Sequence, residues 1–142
     1  MRRAVQCCSL LAVFLAVCSA IGIAQEKARD KSGQLRSNQA LMRNKLVQMN
    51  LILEGITLDK FGQAEKSAET LKMISRAASW HIVDPTPQYK RLSMNFQEQA
   101  ADLERHAKEQ NVEAATLDLV RINVTCTHCH QHMREIAAAR RK

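Results

Sequence analysis

Apolar residues recur at helical spacing along most of the chain. From Leu35, the positions Gln39, Met42, Leu46, Met49, Leu53 and Ile56 follow at alternating steps of four and three, one face of a continuous helix with a coiled-coil-like seam. Arg36, Arg43, Lys45 and Glu54 lie off that line. Gly55 and the following "ITLD" end the run, and Asp59 is the expected N-cap of a second helix. That helix is predicted over about 60–79, with Ala64, Ala68, Leu71, Ser75 and Ala78 on one stripe and Phe61 and Ile74 beside it. The segment "WHIVDPTPQY" breaks the pattern: two prolines within three residues make a loop, against which Trp80 is expected to pack. A third helix over about 88–109 turns Leu92, Phe96, Gln99, Leu103 and His106 or Ala107 inward. After the polar "KEQN", a fourth starts at the capping residue Asn111. Its predicted inner face is Ala114, Leu117, Val120 or Arg121, and Val124, leading into "CTHCH". Four amphipathic helices with mostly short connections predict an all-α, antiparallel up-down-up-down four-helix bundle.

Composition agrees with helices. The chain has 142 residues, room for one domain, and only 4% are aromatic, with 4 Gly and 2 Pro. So few turn-formers and aromatics disfavour a sandwich or barrel. The formal charge of +7 is partly terminal (Arg2, Arg3, Arg140, Arg141, Lys142), and the rest is interspersed with acids. There is no recognition motif and no basic surface with aromatics, so nucleic acid is not an expected partner.

The first residues read as an export signal. Met1-Arg2-Arg3 is a short positive region, and "AVQCCSLLAVFLAVCSAIGIA" follows without a charge. Small residues suit cleavage after Ala24, where the chain turns abruptly to "QEKARDKSGQ". The expected organisation is a signal peptide at 1–24, a polar extension at 25–33 and a helical domain at 34–142, located in the periplasm. An uncleaved membrane anchor is the competing reading of the apolar run. Cleavage would remove Cys7, Cys8 and Cys18, leaving Cys126 and Cys129, so a disulfide-stapled scaffold is excluded.

Those two cysteines lie in "NVTCTHCHQHMR", Asn123 to Arg134. A structural zinc site would need two separated ligand pairs, and four ligands from one helix cannot surround a tetrahedral ion. A redox dithiol works at a helix N-terminus, where the macrodipole lowers a thiol pKa; this one comes late in a helix. The third chemistry is covalent haem attachment, for which C-x-x-C-H is the signature. Cysteines three apart share a helical face and can reach the two vinyl groups of one porphyrin as thioethers. The adjacent His130 then offers an imidazole to iron.

A helical bundle ending in "CTHCHQHMR" resembles the cytochrome c′ family, the class II c-type cytochromes, over residues 34–136. The resemblance implies haem c held by Cys126 and Cys129, His130 as the proximal iron ligand, and Arg134 near the haem edge. It implies an electron carrier or a gas-binding protein, not an enzyme; the sequence offers no distal acid–base pair for peroxide or NO reduction. Members with a Met on the first helix as sixth ligand carry electrons to a redox partner protein. Members with an apolar residue there stay five-coordinate and bind NO or CO. Met42, early in helix one and opposite the late part of helix four, is the expected sixth ligand. Gln39, one turn earlier, and an open site are the alternatives. Met49 is roughly 10 Å further along the axis and fits the core. Met73 and Met94 lie off the stripes, and Met133 shares a helix with His130. The resemblance also allows a homodimer, though no exposed apolar stripe in the sequence marks one. His81, His106, His128 and His132 are given no haem role: His128 is expected to face solvent, and His132 lies about 200° round the helix from His130.

Overall fold

The computed structural model describes residues 36–80 and 86–141. The chain divides between Ser37 and Asn38, and nearly all of the described residues belong to the unit Asn38–Lys142. The proposed signal segment, Leu35, the Pro85 loop and His81 lie outside the described residues, as does any packing of the Trp80 side chain.

Four helices form the fold: α1 over 36–57, α2 Phe61–Trp80, α3 Pro87–Lys108 and α4 Val112–Ala139. Local chemistry sets their ends. Thr86 caps α3, its hydroxyl accepting from the Tyr89 N–H at 3.1 Å, with Pro87 in the first turn where its missing N–H costs nothing. Asn111 caps α4 by accepting from the Ala114 N–H at 3.1 Å.

The turns after α1 and α3 share one device. Asp59 and Gln110 both adopt left-handed backbone, each with φ 55°. The next N–H reaches back to a carbonyl five residues earlier, Lys60 to Gly55 at 2.7 Å and Asn111 to His106 at 2.9 Å. Each turn is thus a Schellman closure with a non-glycine residue at the strained position. This corrects the reading of Asp59: it ends α1 rather than capping α2. Nor does Gly55 end α1. It lies within the helix, where a Cβ would meet the Ala64 backbone N at 2.9 Å, so its missing side chain lets α1 and α2 touch.

Short turns and interhelical bonds make the neighbours antiparallel. Gln63 of α2 donates to the Leu51 carbonyl of α1, Lys72 of α2 pairs with Glu104 of α3, and Thr125 of α4 donates to Gln99 of α3 at 2.8 Å. The core at the turn end is dense: Ile52, Ala64, Ala68, Leu71, Ala100, Leu103, Ala107, Ala115 and Ile122 have no solvent exposure.

The faces of α2 and α3 are as the sequence predicts; that of α4 is shifted by one position, and in α1 Met42, Met49 and Ile56 are inward as predicted while Gln39, Leu46 and Leu53 give way to Asn38, Lys45 and Ile52. In α1 the inward line is Asn38, Met42, Lys45, Met49, Ile52 and Ile56, while Leu46 and Leu53 are 66% and 55% exposed. In α4 Ala115, Asp118, Leu119, Ile122 and Thr125 are buried, while Leu117, Val120 and Val124 are exposed. At 100° per residue, a one-position slip moves a stripe from core to surface. The slip arises because the inner positions include polar residues whose partners lie on other helices. Asp118 is 2% exposed and accepts from His106 Nδ1 at 2.6 Å and Arg121 at 3.2 Å. One helix read alone cannot show such pairing. An outward apolar line therefore exists on α1 and α4 after all, formed by residues that the pattern assigns to the core.

Candidate haem site

At the end opposite the two turns the helices part around a cavity of about 250 Å³. Each helix contributes: Met42 and Lys45 from α1, Ala78 from α2, Leu92 and Phe96 from α3, and Cys126, Cys129 and His130 from α4. A second cleft, between α1 and α4, shares Met42, Lys45, Cys126 and His130 with the first. The two thiols and the imidazole thus stand on one wall and the inner residues of α1 on the other. The α4 line Ala115, Asp118, Ile122, Thr125 and Cys129 has steps of three and four, so the helix that buries Ile122 at one end aims Cys129 into the cavity at the other.

Both cysteines are free and half-buried. Burial pushes each thiol up, and the nearby Lys45 charge opposes that rise. Lys45 is itself half-buried, its ammonium 4.0 Å from the centre of the Phe96 ring. Burial pushes its amine down, and the two thiols oppose that fall. Beside them Asn38 Oδ1 is buried without a hydrogen-bond partner, the one such side-chain atom among the described residues.

The other expected residues lie at varied depths. Met42 lines both clefts; Gln39 is exposed and lines neither. Arg134 is exposed one turn past His130. Met73 and Met94 are exposed. His128 faces solvent, as expected. His132 is half-buried and bonds through Nε2 to the Thr86 hydroxyl at 2.7 Å, tying the end of α4 to the start of α3. Sequence reasoning missed Lys45 in the cavity. Its signal was present: Asn38, Met42, Lys45, Met49, Ile52 and Ile56 keep an alternating spacing of four and three and share Met42, Met49 and Ile56 with the apolar line.

The residues fit a haem. The cavity is apolar, and two free thiols three apart with the next imidazole stand on one wall. Among the described residues no three His, Cys, Asp or Glu side chains are grouped to hold a metal ion, as a zinc site would require.

Comparison of the whole structure with solved structures then bears on the fold. The nitric oxide complex of an Alcaligenes xylosoxidans cytochrome c prime variant superposes with a TM-score of 0.60 at 14% identity, over 70% of this chain and 91% of that one. The fold is that of cytochrome c′. A second cytochrome c′ matches with a TM-score of 0.60 at 13% identity, over 71% of this chain and 94% of that one. A ferrous Alcaligenes xylosoxidans variant with bound NO gives 0.59 at 14% identity, over 70% of this chain and 91% of that one. No protein-family model and no curated protein matches the sequence. The likeness to cytochrome c′ is therefore one of architecture, and the site rests on this chain's own residues.

Proposed function

We propose that the protein is a c-type cytochrome that carries single electrons. The observation that carries this reading is the meeting of half-buried Cys126 and Cys129 and exposed His130 on one wall of an apolar cavity that all four helices line. The two thiols would hold haem c as thioethers, and His130 would supply the proximal imidazole. Haem c, when bound, supplies a one-electron Fe(III)/Fe(II) couple.

The chain's own residues set how that couple is used. Phe96, Leu92, Tyr89 and Ala78 give the cavity an apolar lining. The α1 wall carries two donors, the Met42 thioether and the Lys45 amine. Either one would fill the sixth position, so that the iron changes oxidation state without gaining or losing a ligand. Arg134 stands at the surface one turn beyond His130, where a cation can meet acidic groups at a cofactor's edge. A redox partner protein is the expected recipient, and export to the periplasm follows from the N-terminal pattern.

The test is chemical. After expression with a haem-attachment system, acid–acetone extraction should leave the colour with the polypeptide, and its mass should exceed that of the mature chain by one haem. Pigment that extracts, or a protein that carries zinc instead, would overturn the reading. N-terminal sequencing should find the chain beginning near Gln25; an intact Met1 in a membrane fraction would sink the export proposal.

A second reading draws on the comparisons: four of the matched cytochrome c prime structures hold NO. If α1 leaves the sixth position open, this protein would bind NO or CO instead. Rapid CO uptake by the ferrous protein, with a high-spin spectrum, would select that reading.

A further inference from the structure

We propose that the amine of Lys45, not the thioether of Met42, is the sixth ligand to the haem iron, a proposal that rests on the c-type haem reading above. Met42 in this cavity needs no special account. A thioether is apolar enough to be core filler, and Met fills irregular space at little cost. A lysine is different. Its charged end avoids apolar interiors unless a partner compensates, and a lysine on a surface helix normally extends its amine to water.

Lys45 does not reach water in that way. It is on the inward line of α1 between Met42 and Met49, its amine turned across the cavity onto the face of Phe96 at 4.0 Å. Among the described residues no carboxylate pairs with it, and its ammonium rests on the face of Phe96. A neutral amine bound to iron satisfies the same group in the same place. The ammonium gives one proton to solvent, its nitrogen lone pair forms the bond to iron, and no electron is transferred.

Side-chain direction also favours Lys45. Helical side chains lean toward the N-terminus of their own helix. Lys45 therefore carries its amine back toward the level of Met42. Both residues border the two clefts that contain Cys126 and His130, so they compete for one position. Lysine has the longer arm and the stronger σ-donor for ferric iron. Asn38, further along the same line, has a buried Oδ1 without a donor, and an iron-bound amine keeps N–H groups that could be offered to it.

The experiment compares the haem-loaded wild type with Met42→Ala, Lys45→Ala and Lys45→Met, by near-infrared magnetic circular dichroism of the ferric form and CO binding of the ferrous form. The wild type should be low-spin, with a charge-transfer band at the position of amine–imidazole ligation and without the red sulfur-to-iron band. Met42→Ala, although it alters the cavity wall, should keep the amine–imidazole band and stay low-spin. Lys45→Ala should lose the low-spin signal and bind CO rapidly. Lys45→Met keeps the unbranched stem and should gain the sulfur-to-iron band, which also shows that loss in the alanine variant is not misfolding. A sulfur band in the wild type that disappears in Met42→Ala, or a high-spin wild type, would overturn the proposal and leave the haem reading intact. Haem that extracts into acid–acetone would instead defeat the haem reading itself.

Discussion

The two ends of the bundle are built from the same four helices and obey different rules. The turn end, where α1 meets α2 and α3 meets α4, is closed by Ala, Ile and Leu side chains with no exposure, and its buried charge Asp118 is matched by His106 and Arg121. The other end holds a cavity of about 250 Å³, half-buried thiols, a lysine inside the bundle and an unpartnered Asn38 oxygen. The first end is arranged for stability. The second carries unsatisfied chemistry that a bundle built only to be stable would not keep, and that is the mark of a site.

The largest effect expected at the open end is all or none. Replacing Cys126 and Cys129 together by Ser should abolish covalent haem, read by haem staining after denaturing electrophoresis. Amide exchange at the turn end of the same variant should remain slow, because Leu71, Leu103 and Ile122 do not line the cavity and Cys126 only borders their cluster; fast exchange there would show that the ends are not separable.

The next prediction sets two leucines of α3 against each other. Leu103→Ala, at full burial, should cost about 2–5 kcal/mol in haem-free chemical denaturation. Leu92→Ala, on the wall of an existing cavity, loses only part of its transfer energy, about 1 kcal/mol. Equal losses would mean that the open end packs as tightly as the closed one.

Charge gives a third contrast. Asp118→Ala should destabilise by about 1–3 kcal/mol, since it strands half-buried His106 and removes a buried network. Lys45→Leu should do the opposite in the haem-free chain. It removes a half-buried cation from an apolar cavity, and a higher denaturation midpoint is expected.

The smallest effect belongs to the turns. Gln110→Gly relieves a left-handed backbone that a Cβ disfavours and should stabilise by about 1 kcal/mol. Asp59→Gly should gain less, since Asp tolerates that conformation better. A loss at either position would mean that the side chain contributes more than its strain costs.

The number and order of the described helices were legible in the chain, but not the roles of Gly55, Asp59 and Pro87 at their ends. Asn111 acts on its own neighbours, and the stripes of α2 and α3 contain nothing that competes with them. The grouping of the candidate triad was legible for a similar reason: Cys126, Cys129 and His130 lie within five residues, and a helix fixes their relation. The faces of α1 and α4 were decided elsewhere. Leu46 and Leu117 are apolar and lie outside; Lys45 and Asp118 are charged and lie inside. What makes a charged residue tolerable in a core is a group on another helix, His106 for Asp118 and Phe96 for Lys45. Periodicity within one segment carries no information about such partners. Sequence by itself therefore determined the bundle and the chemistry of one wall of its cavity. Only tertiary packing decided which residue of α1 stands on the other.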